Sequence, residues 1–222
     1  KLKKDNNMKK LIATIFASIF LFSSHSLAID LGATIGLSTT KHLGYAEATE
    51  DQDDTRYTGI QKESGMFVDD SSGFFAEINL GDRLSVGMHW LSDDLVTPEA
   101  TNLQNGSTNT LKATFEDIST AYVQLRLLGG MYAKYGHVDG TILTQENVTT
   151  SSQSGSTVPD QDLSGDTFGF GYAWTAENGF QIRAEGMVSD YDTFSMTDSS
   201  GDKYTVKDMQ GVNATFAIAK AF

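Results

Sequence analysis

The last twelve residues of the chain read GVNATFAIAKAF, from Gly211 to Phe222, and their pattern decides the fold. Large apolar side chains alternate with small or polar ones, which is typical of a β-strand with two different faces. One face carries Val212, Ala214, Phe216, Ile218 and Phe222, and the other carries Asn213, Thr215, Ala217, Ala219 and Ala221. A soluble protein rarely ends an amphipathic strand on an exposed aromatic residue. We therefore expect the apolar face to contact something other than water.

The same alternation recurs through the rest of the chain. It predicts strands at residues 29–38, 73–80, 83–90, 120–127, 131–138, 167–174, 180–190 and 211–222. Short connections at 81–82, 128–130 and 176–179 alternate with long polar ones at 39–72, 91–118, 139–166 and 191–205. This order predicts an all-β fold, an eight-stranded antiparallel up-and-down barrel. Its short turns lie at one end and its four longer loops at the other.

The side-chain sizes on the two faces indicate which face points outward. Phe168, Phe170, Tyr172 and Trp174 form one apolar row, whereas the opposite faces are rich in glycine, alanine, serine and threonine with scattered charges. Eight strands enclose a bore that small and charged side chains can fill. Tilted strands of about 9–11 residues cross a bilayer, and closure leaves no unpaired edge. The pattern therefore favours a transmembrane barrel over a soluble barrel with the apolar face inside.

The beginning of the chain has the composition of an export signal. Residues 8–28 combine two lysines, an apolar run of about a dozen residues and a small-x-small cleavage site, as secretory signal peptides do. We interpret residues 1–7 as translated upstream sequence, 8–28 as a cleaved signal peptide and 29–222 as the barrel domain. The chain has no cysteine. Its net charge of −13 makes nucleic acid an unfavourable partner.

Together these features resemble the eight-stranded outer-membrane barrel family, which includes OmpA-type transmembrane domains and opacity-like surface proteins. The resemblance implies a location in the bacterial outer membrane, contact with membrane lipids and lipopolysaccharide, and a monomeric state. It also implies that the barrel-assembly machinery reads the final strand, with Phe216, Ile218 and Phe222 as the assembly signal.

Charged residues on the inward-facing side of the predicted strands are the candidate functional residues. They are Glu77, Arg83, Arg126, Lys134, Arg183 and Glu185, with Asp30 and His89 on the same side. A charge buried in a narrow bore must be paired, because an uncompensated one costs several kcal/mol. We expect these residues to form a network that plugs the lumen. The alternative is a small gated ion path lined by the same side chains.

Catalytic and metal-binding residues are not indicated by any motif. His137 lies near Asp139, Ser164 and Asp166 at the outer ends of two predicted strands, and clustering of these residues would favour a lipid-active enzyme. The stretch DQDLSG, Asp160–Gly165, matches half of a calcium-binding loop, but Gly171 stands where the loop requires glutamate. We therefore predict no catalytic residues, no metal site and no cofactor.

The leading functional hypothesis is a structural, non-enzymatic outer-membrane barrel with acidic surface loops and a largely plugged lumen, with a minor porin-like pore as its variant. The alternative is a surface-binding, adhesin-like barrel that acts through its extracellular loops. A lipid-modifying barrel enzyme is the third hypothesis.

Overall fold

The computed structural model describes residues 31–51, 60–104, 107–148, 158–199 and 203–222. The upstream segment 1–7, the predicted signal peptide 8–28 and Asp30 lie outside the described residues. The strands are β1 (Leu31–Asp51), β2 (Ile60–Leu80), β3 (Leu84–Leu91), β4 (Leu95–Val96), β5 (Ala100–Gln104), β6 (Ser107–Arg126), β7 (Met131–Val148), β8 (Gln161–Thr175), β9 (Phe180–Tyr191), β10 (Phe194–Thr197) and β11 (Lys203–Ala221).

Eight of these strands form a closed antiparallel ring in the order β1, β2, β3, β6, β7, β8, β9 and β11. The first and last strands close it, with a register that begins at Thr34 opposite Ala221. The Phe222 amide donates a hydrogen bond to the Ala33 carbonyl at 2.8 Å, and the Ala33 amide donates back at 3.2 Å. The eight-stranded up-and-down barrel predicted from the alternation is confirmed.

The short turns also lie where the sequence predicts them. Gly81 follows β2, Gly129 and Gly130 precede β7, and Gly179 precedes β9. All four have φ between 64° and 87°, a left-handed conformation that glycine adopts without a Cβ penalty. These turns connect neighbouring strands at one end of the barrel.

The four long connections are shorter than the sequence suggests, so their predicted extents were wrong. Residues 39–72 largely extend the first hairpin, since β1 continues to Asp51 and β2 begins at Ile60. The segments 91–118, 139–166 and 191–205 likewise contain β4, β5, β10 and the outer parts of β6, β7, β8 and β11. The period-two pattern is weaker here because polar and apolar residues are mixed on both faces and because the alternation shifts at bulges in β6 and β11, although the backbone ladder continues.

Two bulges change which side chains face the bore. Asp117 in β6 and Asp208 in β11 have φ of 54° and 51°, and the β6–β7 and β1–β11 registers shift at these positions. Each bulge sets two residues opposite one and reverses the inward and outward alternation above it. In consequence Phe115, above the β6 bulge, faces inward, as Tyr122 does below it. The two bulged strands stand on opposite sides of the ring.

The apolar rows face outward, as predicted. Large exposed side chains cover the outer wall of every ring strand except β3, among them Ile35, Leu37, Phe74, Leu125, Tyr135, Phe168, Phe170, Trp174, Ile182, Val212, Phe216, Ile218 and Phe222. Polar side chains replace them toward the loop end, as in the Lys41–Asp70 ion pair at 2.8 Å. A helix long and apolar enough to cross a membrane does not occur among the described residues.

Candidate functional site

The lumen contains a buried ion pair that crosses the bore. Arg183 of β9 donates from Nη1 and Nη2 to the two carboxylate oxygens of Glu77 of β2, at 2.6 and 2.7 Å. The side chains are 1% and 0% exposed. Arg183 also donates from Nε and Nη2 to Oε1 of Gln181, at 3.0 and 2.8 Å. Since β2 and β9 are not neighbours in the ring, this fork holds opposite parts of the wall together.

A second buried ion pair joins β7 to β9 in the same part of the bore. Lys134 donates to Oε2 of Glu185 at 2.9 Å, and the Tyr132 hydroxyl donates to Oε1 of the same carboxylate at 2.7 Å. Tyr122 of β6 links the two pairs. Its hydroxyl donates to Glu77 at 2.9 Å, and the Lys134 ammonium lies 3.9 Å from its ring centroid. The two carboxylates thus accept hydrogen bonds from side chains of three strands, β6, β7 and β9.

The end of the barrel where the short turns lie has a smaller polar cluster. The Asn79 side-chain oxygen accepts from Arg126 Nη2 at 2.7 Å and from Ser85 Oγ at 2.8 Å. Its Nδ2 donates to Thr34 Oγ1 at 3.0 Å. Arg83 is not part of either cluster, since it lies exposed in the turn between β2 and β3. The remaining five predicted lumen charges lie inside. Four of them form the charge network of the bore: Glu77, Lys134, Arg183 and Glu185.

Aromatic rings fill the space beside these charges and lie over glycines of adjacent strands. A Cβ atom at Gly171 would lie 2.3 Å from the Tyr132 ring, and one at Gly36 would lie 2.4 Å from the Phe75 ring. The Arg183 guanidinium lies 4.8 Å from the Phe75 ring centroid. The glycines of the inward face therefore make room for large rings. The sequence analysis had described the filling of the bore in terms of small and charged side chains.

Apolar residues close the bore nearer the loop end. The buried members of this apolar cap are Leu95, Phe115, Ile142, Leu163 and Met209, and Ala46, Phe67, Leu91, Ala113, Ile118, Tyr191 and Phe194 pack against them. Phe67 and Phe115 stack with ring centroids 5.5 Å apart. The sequence analysis missed this cap, because its members, with the exception of Met209, come from segments predicted to be polar loops.

A cavity of about 60 Å³ lies between the charge network and the apolar cap. Its lining includes Lys134, Glu185, Leu95, His42 and His89. The two histidines are held by hydrogen bonds. His42 contacts Asn213 at 2.9 Å and Ser71 at 2.8 Å, and His89 contacts Ser38 at 2.7 Å. The space suits a few water molecules rather than a solute.

Charges on the outer surface are arranged as ordinary solvated pairs. Lys62 lies 2.6 Å from Glu47, and its hydrogen bond lowers the pKa of the Glu47 carboxyl while the carboxylate raises the pKa of Lys62. Among the described residues no group of three or more His, Cys, Asp or Glu is arranged to hold a metal ion. Gln161–Gly165, most of the half-motif for calcium, forms the start of β8.

Sequence reasoning missed several partners of the charged residues. Tyr122, Tyr132, Gln181 and Asn79 lie on the same faces as the predicted lumen charges but are uncharged. Period-two spacing from Arg126 or Arg183 would have identified them, because residues i and i+2 share a face of a strand. The pairing of Glu77 with Arg183, rather than with Arg126 or Lys134, depends on the ring closure.

The proposed assembly residues lie on the outer wall of β11. Phe216 and Ile218 are exposed between β9 and β1, and Phe222 is exposed beyond the end of the strand. Lys220, between Ile218 and Phe222 on the same face, donates from Nζ to the Asn178 carbonyl in the adjacent turn.

Comparison with known proteins identifies the fold. No family model and no curated protein sequence matches the chain. The outer membrane protein OprG from Pseudomonas aeruginosa is 14% identical, with a TM-score of 0.56 over 87% of this chain and 97% of that one. AlkL is 11% identical over 87% and 90% of the two chains, with a TM-score of 0.48. Ail, the attachment invasion locus protein of Yersinia pestis, is 14% identical over 84% and 99%, with a TM-score of 0.37. The likeness to OprG shows an eight-stranded outer-membrane barrel fold.

Proposed function

We propose that this chain, which has the fold of the eight-stranded outer-membrane β-barrels, is a structural outer-membrane protein whose lumen is closed to ions and solutes. The main support for a closed lumen is the bidentate Glu77–Arg183 pair, which spans the bore between strands that are not neighbours. The apolar cap closes the same bore a second time nearer the loops. In this role the barrel is a monomer in contact with outer-membrane lipids and lipopolysaccharide. A cleaved signal peptide directs its export to this membrane.

Two barriers of opposite chemistry in series support a closed barrel rather than a pore. A hydrated ion could pass the charged residues by exchanging water with them, but it would lose its hydration shell at the apolar cap. An apolar solute that could pass the cap would meet buried, fully paired charges. The barrel-assembly machinery would recognise Phe216, Ile218 and Phe222 on the outer wall of the closing strand.

The closed lumen predicts that the folded protein does not make vesicles leaky. We expect lipid vesicles that contain the purified barrel to lose a trapped potassium gradient no faster than vesicles without protein. A potassium-selective electrode measures the efflux, and a porin of known conductance in parallel vesicles verifies the assay. Rapid efflux that scales with the amount of folded barrel would contradict the proposal.

Membrane placement predicts a labelling pattern along a single strand. Ile218 faces outward and its neighbour Ala217 is buried toward the bore. A cysteine at Ile218 should react with a lipid-soluble maleimide in vesicles, whereas a cysteine at Ala217 should react only after unfolding. The chain contains no other cysteine to confuse the result. The reverse pattern would mean that the apolar wall is not in lipid.

A surface-binding role is the second candidate, because one apolar patch lies on the loop side of the Lys41–Asp70 ion pair. Leu43, Met66 and Val68 are exposed on the outer extension of β1 and β2, above the Lys41–Asp70 pair, and Met66 is 66% exposed. Exposed apolar groups outside a membrane are typical of contact surfaces. If the barrel binds cells through this patch, Met66→Asp should reduce binding to cell monolayers while Met131→Asp, at the other end, should not.

A further inference from the structure

A serine, a histidine and an aspartate lie together on the outer wall of β7 and β8. His137 stands opposite Asp166 in the β7–β8 register, and Ser164 stands opposite Asp139, two residues further toward the loops. All of them face away from the bore. His137 Nδ1 lies 3.0 Å from Asp166 Oδ1, and its Nε2 lies 3.4 Å from Ser164 Oγ. The two ring nitrogens are thus engaged by the two different partners that nucleophilic catalysis requires.

The order of these contacts gives each group a distinct chemical role. A carboxylate at Nδ1 favours the tautomer with the proton on that nitrogen, which leaves Nε2 free to accept the serine proton. Tyr135 also hydrogen-bonds Asp166 and holds the carboxylate in place. Asp139 approaches Nε2 at 3.8 Å, close enough to stabilise an imidazolium. Ser164 and His137 are therefore the reacting pair, and Asp166 positions the histidine.

The surroundings of the group indicate the class of substrate. The His137 side chain is 49% exposed, so the site is open to the outside of the barrel rather than to its lumen. On the side toward the membrane, the same wall continues with Tyr135, Phe168 and Phe170. Phe168 and Phe170 pack edge to face at 5.0 Å. An acyl chain lying along these rings would place its ester group at the level of Ser164.

We propose that Ser164, His137 and Asp166 form a serine hydrolase site for the carboxylic esters of long-chain lipids in the outer leaflet. Ser164 Oγ attacks the ester carbonyl carbon and gives its proton to His137 Nε2. The tetrahedral intermediate then breaks the carbon–oxygen bond, and the departing alcohol takes the proton from His137. Water, activated by the same nitrogen, attacks the acyl-serine and releases the fatty acid. The lipid substrate rests on the proposed membrane placement, whereas the reactivity of Ser164 does not.

The strand setting of the site predicts slow turnover. β8 pairs with β7 and with β9 around Ser164, so the backbone amides near the nucleophile are engaged in the ladder. Amides that are free to stabilise an oxyanion usually supply a large part of the rate of such enzymes. Covalent capture of the nucleophile is therefore a sharper readout than product release.

The test uses the full mature barrel, folded in detergent, and a long-chain alkyl fluorophosphonate as the probe. We expect the probe to label the wild type on Ser164, as located by peptide mass spectrometry. Ser164→Ala should abolish labelling, His137→Ala should reduce its rate at least about 100-fold, and Asp166→Asn should reduce it less. Ser119→Ala, which removes a serine opposite Asp139 on the neighbouring strand, should label at the wild-type rate.

Folding of each variant is checked by the heat-dependent shift in electrophoretic mobility of intact barrels. All four substitutions lie on the outer wall and leave the lumen network in place. Failure to label Ser164 in folded wild type, or equal labelling rates for the wild type and His137→Ala, would overturn the hydrolase site. Neither result would alter the closed lumen, which the vesicle efflux experiment tests separately.

Discussion

Glu77→Ala is expected to cause the largest loss of stability of any single substitution in the barrel. It leaves the buried Arg183 guanidinium with only Gln181 as a hydrogen-bond acceptor and removes the acceptor of the Tyr122 hydroxyl. Removal of one partner of a buried ion pair costs about 3–5 kcal/mol. We expect the free energy of unfolding to fall by about that amount. Urea titration of the barrel in lipid vesicles, followed by tryptophan fluorescence, measures it.

Two controls separate the buried charge from other effects of the substitution. Glu47→Ala removes an ion-paired glutamate from the solvated surface and should change stability little, because Lys62 stays in water. The double variant Glu77→Met with Arg183→Met replaces the pair by apolar side chains of similar volume. It should recover most of the loss, because no unpaired charge remains. Equal stabilities for Glu77→Ala and the wild type would show that the bore is hydrated around Arg183.

Leu163→Ala is expected to have the second largest effect, because it opens a cavity in the apolar cap. Leu163 is 4% exposed and packs with Phe115, Ile142 and Met209. Buried leucine-to-alanine substitutions cost about 2–5 kcal/mol, according to how far the site can collapse. The rigid wall of a closed barrel limits collapse, so we expect a value in the upper half of this range. The same urea titration measures the loss.

Leu125→Ala is the matched control for the cap. Leu125 is 47% exposed on the outer wall, where lipid can fill the space that the side chain leaves. It should therefore cost clearly less than Leu163→Ala. If the two substitutions destabilised the barrel equally, Leu163 would not belong to a packed interior cluster.

Much of the fold could be predicted from the sequence, because period two reports directly on the two faces of a strand. The Phe168, Phe170, Tyr172 and Trp174 row faces outward as expected, since a narrow bore cannot hold four large side chains from one strand. The turn glycines are equally predictable, because each occupies a left-handed conformation.

The outer half of the barrel could not be predicted in the same way. Asp117 reverses the alternation of β6 without any change in composition, so Phe115 could not be assigned to the interior. In β1 and β2 on the loop side of Lys41 and Asp70, the outer face mixes apolar Leu43 and Val68 with charged Glu47 and Lys62. This mixture weakens the contrast on which the strand prediction depends.

The candidate site was predictable in its charges but not in its pairing. Glu77, Lys134, Arg183 and Glu185 all share the inward face, and the pattern locates each one. Which carboxylate meets which cation depends on the curvature and closure of the ring, information that no single strand contains. Arg83 departs from the prediction because it belongs to the turn after Gly81 and extends into solvent.

Single-channel recording in planar bilayers tests the closed lumen most directly. The recordings compare the wild type, Glu77→Ala, Glu77→Ala combined with Leu163→Ala, and the double variant Glu77→Met with Arg183→Met under one salt and voltage protocol. We predict no conductance steps for the wild type or for Glu77→Met with Arg183→Met. For Glu77→Ala, whose unpaired Arg183 draws water into the bore, we predict new steps only once Leu163→Ala has also opened the apolar cap. Regular steps of equal size in all four proteins would contradict a lumen closed by paired charges and would identify the barrel as a pore.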